Sequence, residues 1–175
     1  MNDISRSRML AIAVTVILAP AGARSSGDGM EDCPMHAQHR ARAAQQQRER
    51  EDEGMGFSQE RTTHHFLLAS DGGTIQVTAN AADDRTTIEQ VHRHLEHIAR
   101  AFRAGDFTTP ASVHGQVPPG VPAMRQLRAE ISYAYQSRPD GAAVVIRSRN
   151  PEAVAAVQEF LRFQVREHKT GDPIR

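Results

Sequence analysis

Histidine is the residue type in this chain that could do chemistry. The sequence of 175 residues contains nine histidines, and six of them lie between His64 and His114. A neutral imidazole is a common ligand of zinc, copper and nickel, and histidine is also a frequent general acid or base near neutral pH. This local concentration indicates a metal site. The alternative is that the histidines are polar residues flanking ordinary structural elements.

Three histidines, His92, His94 and His97, lie in a segment with helical periodicity. Residues three apart are neighbours on adjacent turns of a helix, so His94 and His97 could hold one ion together. His92 falls on the other border of the apolar stripe and is not expected to join them. A third ligand must come from elsewhere in the chain, and His114 is the candidate.

A second pair, His64 and His65, lies on a predicted strand. Side chains alternate between the two faces of a strand, so His64 should share the core face with Phe66, and His65 should lie on the opposite face. Either histidine is a candidate fourth ligand. His168, near the end of the last predicted helix, is interpreted as incidental.

A softer set of ligands precedes the domain. The thiol, thioether and imidazole groups of Cys33, Met35 and His36 lie within four residues. Sulfur ligands favour monovalent copper and related ions. The run Cys-Pro-Met-His at 33–36 resembles the short heavy-metal-binding segment of copper and silver export proteins. This resemblance implies that Cys33, Met35 and His36 bind such an ion.

Charge and composition argue against other partners. The chain has 21 basic and 21 acidic residues, whereas nucleic-acid binding normally requires a basic surface. It has no tryptophan and only 5% aromatic residues, so a base-stacking platform is not expected. The single cysteine excludes an intrachain disulfide. Cys33 would therefore bind metal, link two copies into a homodimer, or be incidental.

The first 61 residues divide into two predicted segments. Residues 1–23 combine two arginines with a short apolar run and small residues at its end, which is typical of a secretory signal peptide. This predicts a periplasmic or secreted protein that contacts the membrane only before cleavage. Residues 24–61 are polar, and they predict either a solvated helix or a disordered tether carrying Cys33, Met35 and His36.

The remainder of the chain, residues 62–175, is predicted to repeat one strand–strand–helix unit. Asp71-Gly72 and Asp140-Gly141 are typical hairpin turns. The predicted elements are strands at 62–69 and 74–80 with a helix at 84–104, and strands at 130–137 and 143–148 with a helix at 151–169. Such a ββα–ββα chain predicts an α+β fold, with two helices on one face of a four-stranded antiparallel sheet.

Residues that typically cap helices are found at the start of both predicted long helices. Thr86 and Glu89 can form a capping box at the first helix, and Asn150 can cap the second. Between the copies, residues 106–121 are rich in proline and glycine and predict a long loop, of a kind that often carries function. Pro122 then starts a short helix.

Three segments of the domain are similar to segments of a group of uncharacterised exported bacterial proteins. These segments are Thr62–Phe66 (TTHHF), His94–Ala99 (HLEHIA) and Val117–Gly120 (VPPG). The resemblance implies export and assigns no activity.

The sequence therefore supports one main interpretation and two alternatives. The main one is an exported protein that binds copper or zinc through its core histidines and through Cys33, Met35 and His36. The first alternative is a protein-interaction module of the cell envelope that uses no metal. A small metal-dependent enzyme would also need a carboxylate base. Glu96 and Asp106 are available, but no spacing selects either, so an enzyme is the less favoured interpretation.

Overall fold

The computed structural model describes residues 34–175, and its larger compact unit begins at His39. The elements in chain order are α1 (Pro34–Met55), β1 (Thr62–Ala69), β2 (Gly72–Ala79), α2 (Arg85–Ala104), α3 (Thr108–His114), α4 (Val121–Gln126), β3 (Ile131–Arg138), β4 (Gly141–Ser148) and α5 (Pro151–His168). Short 3-10 turns at Gln59–Arg61 and Arg128–Glu130 precede β1 and β3.

The four strands form one antiparallel sheet in the order β1-β2-β4-β3. The helices α2 and α5 pack on the same face of this sheet and share one hydrophobic core with it. The predicted α+β architecture is confirmed. The core also contains Met55 and Phe57, so packing begins before residue 62, where the sequence placed the start of the domain.

The first hairpin turns one position earlier than its sequence suggests. Ala69 pairs with Gly72, so the two turn residues are Ser70 and Asp71, and Phe66 lies opposite Ile75. The predicted turn at Asp71-Gly72 is wrong, and the second hairpin differs in the same way, turning one position before Asp140-Gly141. Moving the turn by one position shifts the predicted pairing between the two strands by two residues. Side chains repeat every two residues along a strand, so each one keeps its predicted face.

The glycines that follow the two turns allow the central strands, β2 and β4, to pack closely together. A Cβ on Gly72 would overlap the carbonyl oxygen of Ile146, and a Cβ on Gly141 would overlap that of Val77. Gly72 also has φ of 143°, a backbone conformation that L side chains rarely adopt. Glycine is therefore required here by the close approach of β2 and β4.

Each long helix packs mainly on the hairpin of the other copy. The helix α2 covers β3 and β4, and α5 covers β1 and β2. Asp84 caps α2 by accepting a hydrogen bond from the Thr87 N–H, and Asn150 caps α5 in the same way. The predicted capping box of Thr86 and Glu89 is wrong, because Asp84 already occupies the cap position.

The connection predicted as a loop at 106–121 contains the helix α3. The Asp106 carboxylate accepts hydrogen bonds from the Thr108 backbone N–H and hydroxyl at the start of α3. Pro110 lies in the first turn, where its missing N–H breaks no helical hydrogen bond. The helix ends at Gly115 with φ of 64°. The short helix predicted from Pro122 is present as α4.

The segment predicted as a solvated helix or a tether is helical from residue 34. Within the compact unit, Met55 in its last turn is buried, and Gly56 ends the helix with φ of 71° while donating a hydrogen bond to Asp52. None of the helices within residues 34–175 has the combination of length and apolar character that a bilayer span requires.

Candidate metal site

Four half-buried histidines from four different elements line one partly open cavity of ≈ 70 Å³ beside the hydrophobic core: His64, His94, His114 and His168. Most of the remaining wall is apolar, and the described residues that line the cavity include no aspartate or glutamate. A cavity that holds a benzene-sized molecule measures about 150 Å³. This cavity therefore suits an ion or a few water molecules better than an organic cofactor.

His64 enters the cavity from β1. It lies opposite Val77 in the sheet and on the core face with Phe66, as its alternation predicts. Its ring stacks on His168 at 5.4 Å between ring centres and on Phe57 at 5.8 Å. Burial, with a smaller contribution from the nearby His65, lowers the pKa of His64 to about 4. The imidazole is therefore neutral at pH 7, the form that binds metal.

His94 reaches the cavity from the middle of α2. Its ring meets Phe57 edge to face, with 5.4 Å between ring centres. Burial is the main reason that its pKa is lowered to about 4, and repulsion by His64 and His97 contributes further. His94 is thus a second neutral imidazole in an apolar wall.

His168 is the last residue of α5 and lies among the other rings. Its ring centre is 5.4 Å from that of His64, 5.2 Å from that of His114 and 5.3 Å from that of Phe66. Burial, followed by repulsion from His64 and His114, lowers its pKa to about 3. His168, interpreted from the sequence as incidental, lies in the cavity, because α5 packs over β1 and brings its last turn onto His64.

His114 lies at the end of α3 and closes another side of the cavity. Its Nε2 is 3.0 Å from Oε1 of Gln164 and donates a hydrogen bond to it. Its Nδ1 is 4.0 Å from the carboxylate of Glu167. His114 shares the cavity with His94, but it would have to release Gln164 before binding an ion through Nε2.

The internal repeat shows what ordinary packing looks like at these positions. The matching caps, Asp84 and Asn150, align the two long helices, and the matching strand registers align the hairpins. Four polar residues of the cavity then correspond to less polar residues of the other copy: His64 to Tyr133, His94 to Phe160, Gln164 to Ile98, and His168 to Phe102.

The aromatic counterparts pack in the way a core requires. Phe102 contacts Tyr133 at 5.9 Å between ring centres, which parallels the His168–His64 contact, and Tyr133 and Phe102 are both buried. The fold can therefore fill these positions without imidazole. The histidines are a property of one copy and not a requirement of the ββα unit.

Two polar atoms of this cavity region are buried without a hydrogen-bond partner among residues 34–175: Nε2 of His64 and Nε2 of Gln164. The Tyr133 hydroxyl is in the same condition. Leaving a buried polar group unpaired costs about 1–3 kcal/mol, so each instance requires an explanation. A bound ion would satisfy the lone pair of His64 Nε2.

Two of the predicted ligands lie outside the cavity. His97 is exposed on α2. It lies three residues after His94, and at that point the helix surface faces solvent. His65 lies on the opposite face of β1, with Nδ1 2.9 Å from the carboxylate of Asp172. Asp172 also accepts a hydrogen bond from the Phe66 N–H at 2.9 Å and so protects the edge of β1.

The predicted ligands before the domain are only partly described. Cys33 lies outside the described residues, and of His36 only the helical backbone is described. Met35 belongs to the first turn of α1, and its side chain is 63% exposed.

The four rings are neighbours, but their nitrogens do not yet converge. Within the described part of the chain, no group of three or more histidine, cysteine, aspartate or glutamate side chains has the geometry of a metal site. Ring rotations within the cavity would be required to bring them together. Glu96, which faces Arg100 on α2, and Asp106, which caps α3, do not line the cavity, so neither is placed to act as a base there.

Comparisons with protein-family models, with curated proteins and with solved structures gave no match.

Proposed function

We propose that this protein binds a transition metal ion, copper or zinc, through His64, His94 and His168. The observation that carries the proposal is the buried, unpartnered Nε2 of His64 in an apolar cavity shared with the two other rings. A buried imidazole nitrogen without a hydrogen-bond partner destabilises the fold, and coordination of a metal ion would give that nitrogen a partner.

The ligands would act in their neutral form. The pKa values of His64 and His94 are lowered to about 4 and that of His168 to about 3. No proton would therefore have to be displaced from these rings near pH 7, which favours binding. His114 would serve as a fourth ligand after leaving Gln164, or would stay hydrogen-bonded and orient the others.

The proposal extends to the cellular location and to the segment before the domain. Export to the periplasm or the medium rests on the sequence of residues 1–23. The soft ligands Cys33, Met35 and His36 would capture an ion before transfer to the core. Oxidising compartments expose a free thiol to reaction, and metal binding would protect the Cys33 thiolate.

The test is metal analysis of the chain 24–175 and of its variants. The internal repeat supplies replacements that suit the fold: His94→Phe and His168→Phe introduce the residues found at the corresponding positions of the other copy. After loading with zinc or copper and dialysis, we expect the parent protein to retain metal. The double variant should lose the ion bound by the core.

The matched control is the double variant His92→Ala/His97→Ala, which also removes two histidines from α2 but leaves the cavity intact. It should retain as much metal as the parent. Every protein in the comparison carries Cys33→Ser, Met35→Leu and His36→Ala, so that the three predicted ligands before the domain do not contribute. Equal retention by the cavity variant and the control, or no retention by the parent, would contradict the proposal.

A further inference from the structure

Met55 adds a sulfur to the wall of the histidine cavity. It is the last residue of α1 and is 7% exposed. The left-handed Gly56 turns the chain directly after it, so that Phe57 packs against His64 and His94 while Met55 lines the cavity beside them. The described wall therefore combines one thioether with imidazoles.

The charge of the wall limits which ion it can hold. Imidazole and thioether are neutral, and the lining residues include neither a carboxylate nor a thiolate. The cost of moving an ion out of water rises with the square of its charge, and this cost is large in apolar surroundings. A divalent ion would keep its full charge here, because the Glu167 carboxylate, 4.0 Å from Nδ1 of His114, does not line the cavity. A monovalent ion avoids most of this cost.

We infer that the ion bound in the core is monovalent copper, with the Met55 sulfur as a ligand beside His64, His94 and His168. The inference rests on the proposed function and narrows it. Thioether and imidazole together are a ligand set for Cu(I), whereas Zn²⁺ uses imidazole, carboxylate and thiolate and gains little from a thioether. The neutral wall and the sulfur therefore favour the same ion.

Methionine is also a common core residue, so the experiment must separate binding from packing. Met124 supplies the matched control, because it is fully buried in the same core but does not line the cavity. Met55→Leu and Met124→Leu each replace a buried thioether with an apolar side chain of similar volume. Only the first removes the sulfur from the cavity.

The measurement is affinity for Cu(I), without oxygen, against a colorimetric Cu(I) chelator, and affinity for Zn²⁺ against a zinc chelator. The whole chain 24–175 is used, with Met30→Leu, Cys33→Ser and Met35→Leu removing every sulfur that precedes Met55 in that chain. Replacing a residue that only hydrogen-bonds to a metal ligand typically changes metal affinity by about 10–100-fold. Loss of Met55, a direct ligand, should therefore weaken Cu(I) binding at least roughly tenfold. Zinc affinity should stay unchanged, because Zn²⁺ gains little from a thioether, and Met124→Leu should change neither affinity.

X-ray absorption at the copper edge gives a second readout. We expect a sulfur neighbour of Cu(I) in the parent and its loss in Met55→Leu. Unchanged Cu(I) affinity in Met55→Leu, or equal loss of copper and zinc, would overturn the inference. Zinc binding that depends on His94 and His168 would then leave the proposed function standing. A parent protein that binds neither metal would overturn both.

Discussion

Burial keeps three imidazoles neutral, and this has a consequence for stability. An unfolded histidine titrates near pH 6.5, whereas the pKa values of His64, His94 and His168 in the fold are lowered to between about 3 and about 4. Below pH 6.5 the unfolded chain therefore binds more protons than the native protein does. The free energy of unfolding must fall as the pH falls from about 6.5 toward about 4.

Replacing His168 should remove part of this pH dependence. One such histidine contributes a slope of up to about 1.4 kcal/mol per pH unit in the window where only the unfolded form is protonated. We expect His168→Phe to flatten the curve between pH 6 and pH 4.5 by about 1 kcal/mol per pH unit. The measurement is urea denaturation of the metal-free protein, with a chelator present, at several pH values.

The exposed His97 provides the control for the effect of His168 on the pH dependence of stability. His97→Asn removes a histidine that lies outside the cavity, so its pH profile should follow that of the parent. If His97→Asn flattens the profile as much as His168→Phe does, the destabilisation at low pH does not come from the cavity.

The backbones of the two central strands, β2 and β4, lie very close together next to the hairpin turns. The β2–β4 pair approaches so closely at Gly72 and Gly141 that neither position has room for a Cβ. Both residues directly follow a hairpin turn, and each meets a carbonyl of the opposite central strand. The two halves are joined at these points, and backbone carbonyls cannot move aside as a flexible side chain would.

Gly72→Ala should therefore destabilise the protein well beyond the cost of an unusual backbone angle. We expect a loss of about 3 kcal/mol or more in the free energy of unfolding, from strain together with the clash on Ile146. Gly171→Ala is the control, because Gly171 has φ of 76° and open space around its Cβ position. It should cost about 1 kcal/mol. Similar losses in urea denaturation for both variants would argue against the close approach.

At the scale of the whole molecule, the crossed helices make the two copies depend on each other. The apolar stripe of α2 is buried on β3 and β4, and that of α5 on β1 and β2. Each helix contacts its own hairpin less, and mainly through the central strand of that hairpin. We therefore expect the repeat to unfold as a single cooperative structure, although its sequence resembles two units.

This arrangement predicts fragment complementation. Fragments 39–115 and 116–175 should each be largely unfolded alone, and mixing them should restore secondary structure and a cooperative thermal transition by circular dichroism. The break falls after the exposed Gly115, outside every helix and strand. The full chain nicked at the same place is the control and should stay folded. A cooperative transition in 116–175 alone would disprove the mutual dependence.

The sequence by itself determined the four strands, the two long helices, their order along the chain and the face of each strand residue, whereas α3 was predicted as a loop. Period-two alternation placed His64 with Phe66 on the core side, and a turn misplaced by one residue did not alter this. Helical periodicity and the terminal signals located α2 and α5 to within a residue of their observed ends. These features are local, because they depend on residues that are close together along the chain.

Only the tertiary structure decided which histidines meet. His94 and His97 are equally good neighbours on a helix, yet one lines the cavity and the other is exposed, because that depends on where α3 and β1 lie. His168 came to lie beside His64 because α5 packs on the hairpin of the other copy, and Met55 joined them through a turn before the domain. Contacts between residues far apart in sequence follow from how the faces of the elements pack, and a local pattern contains no record of that packing.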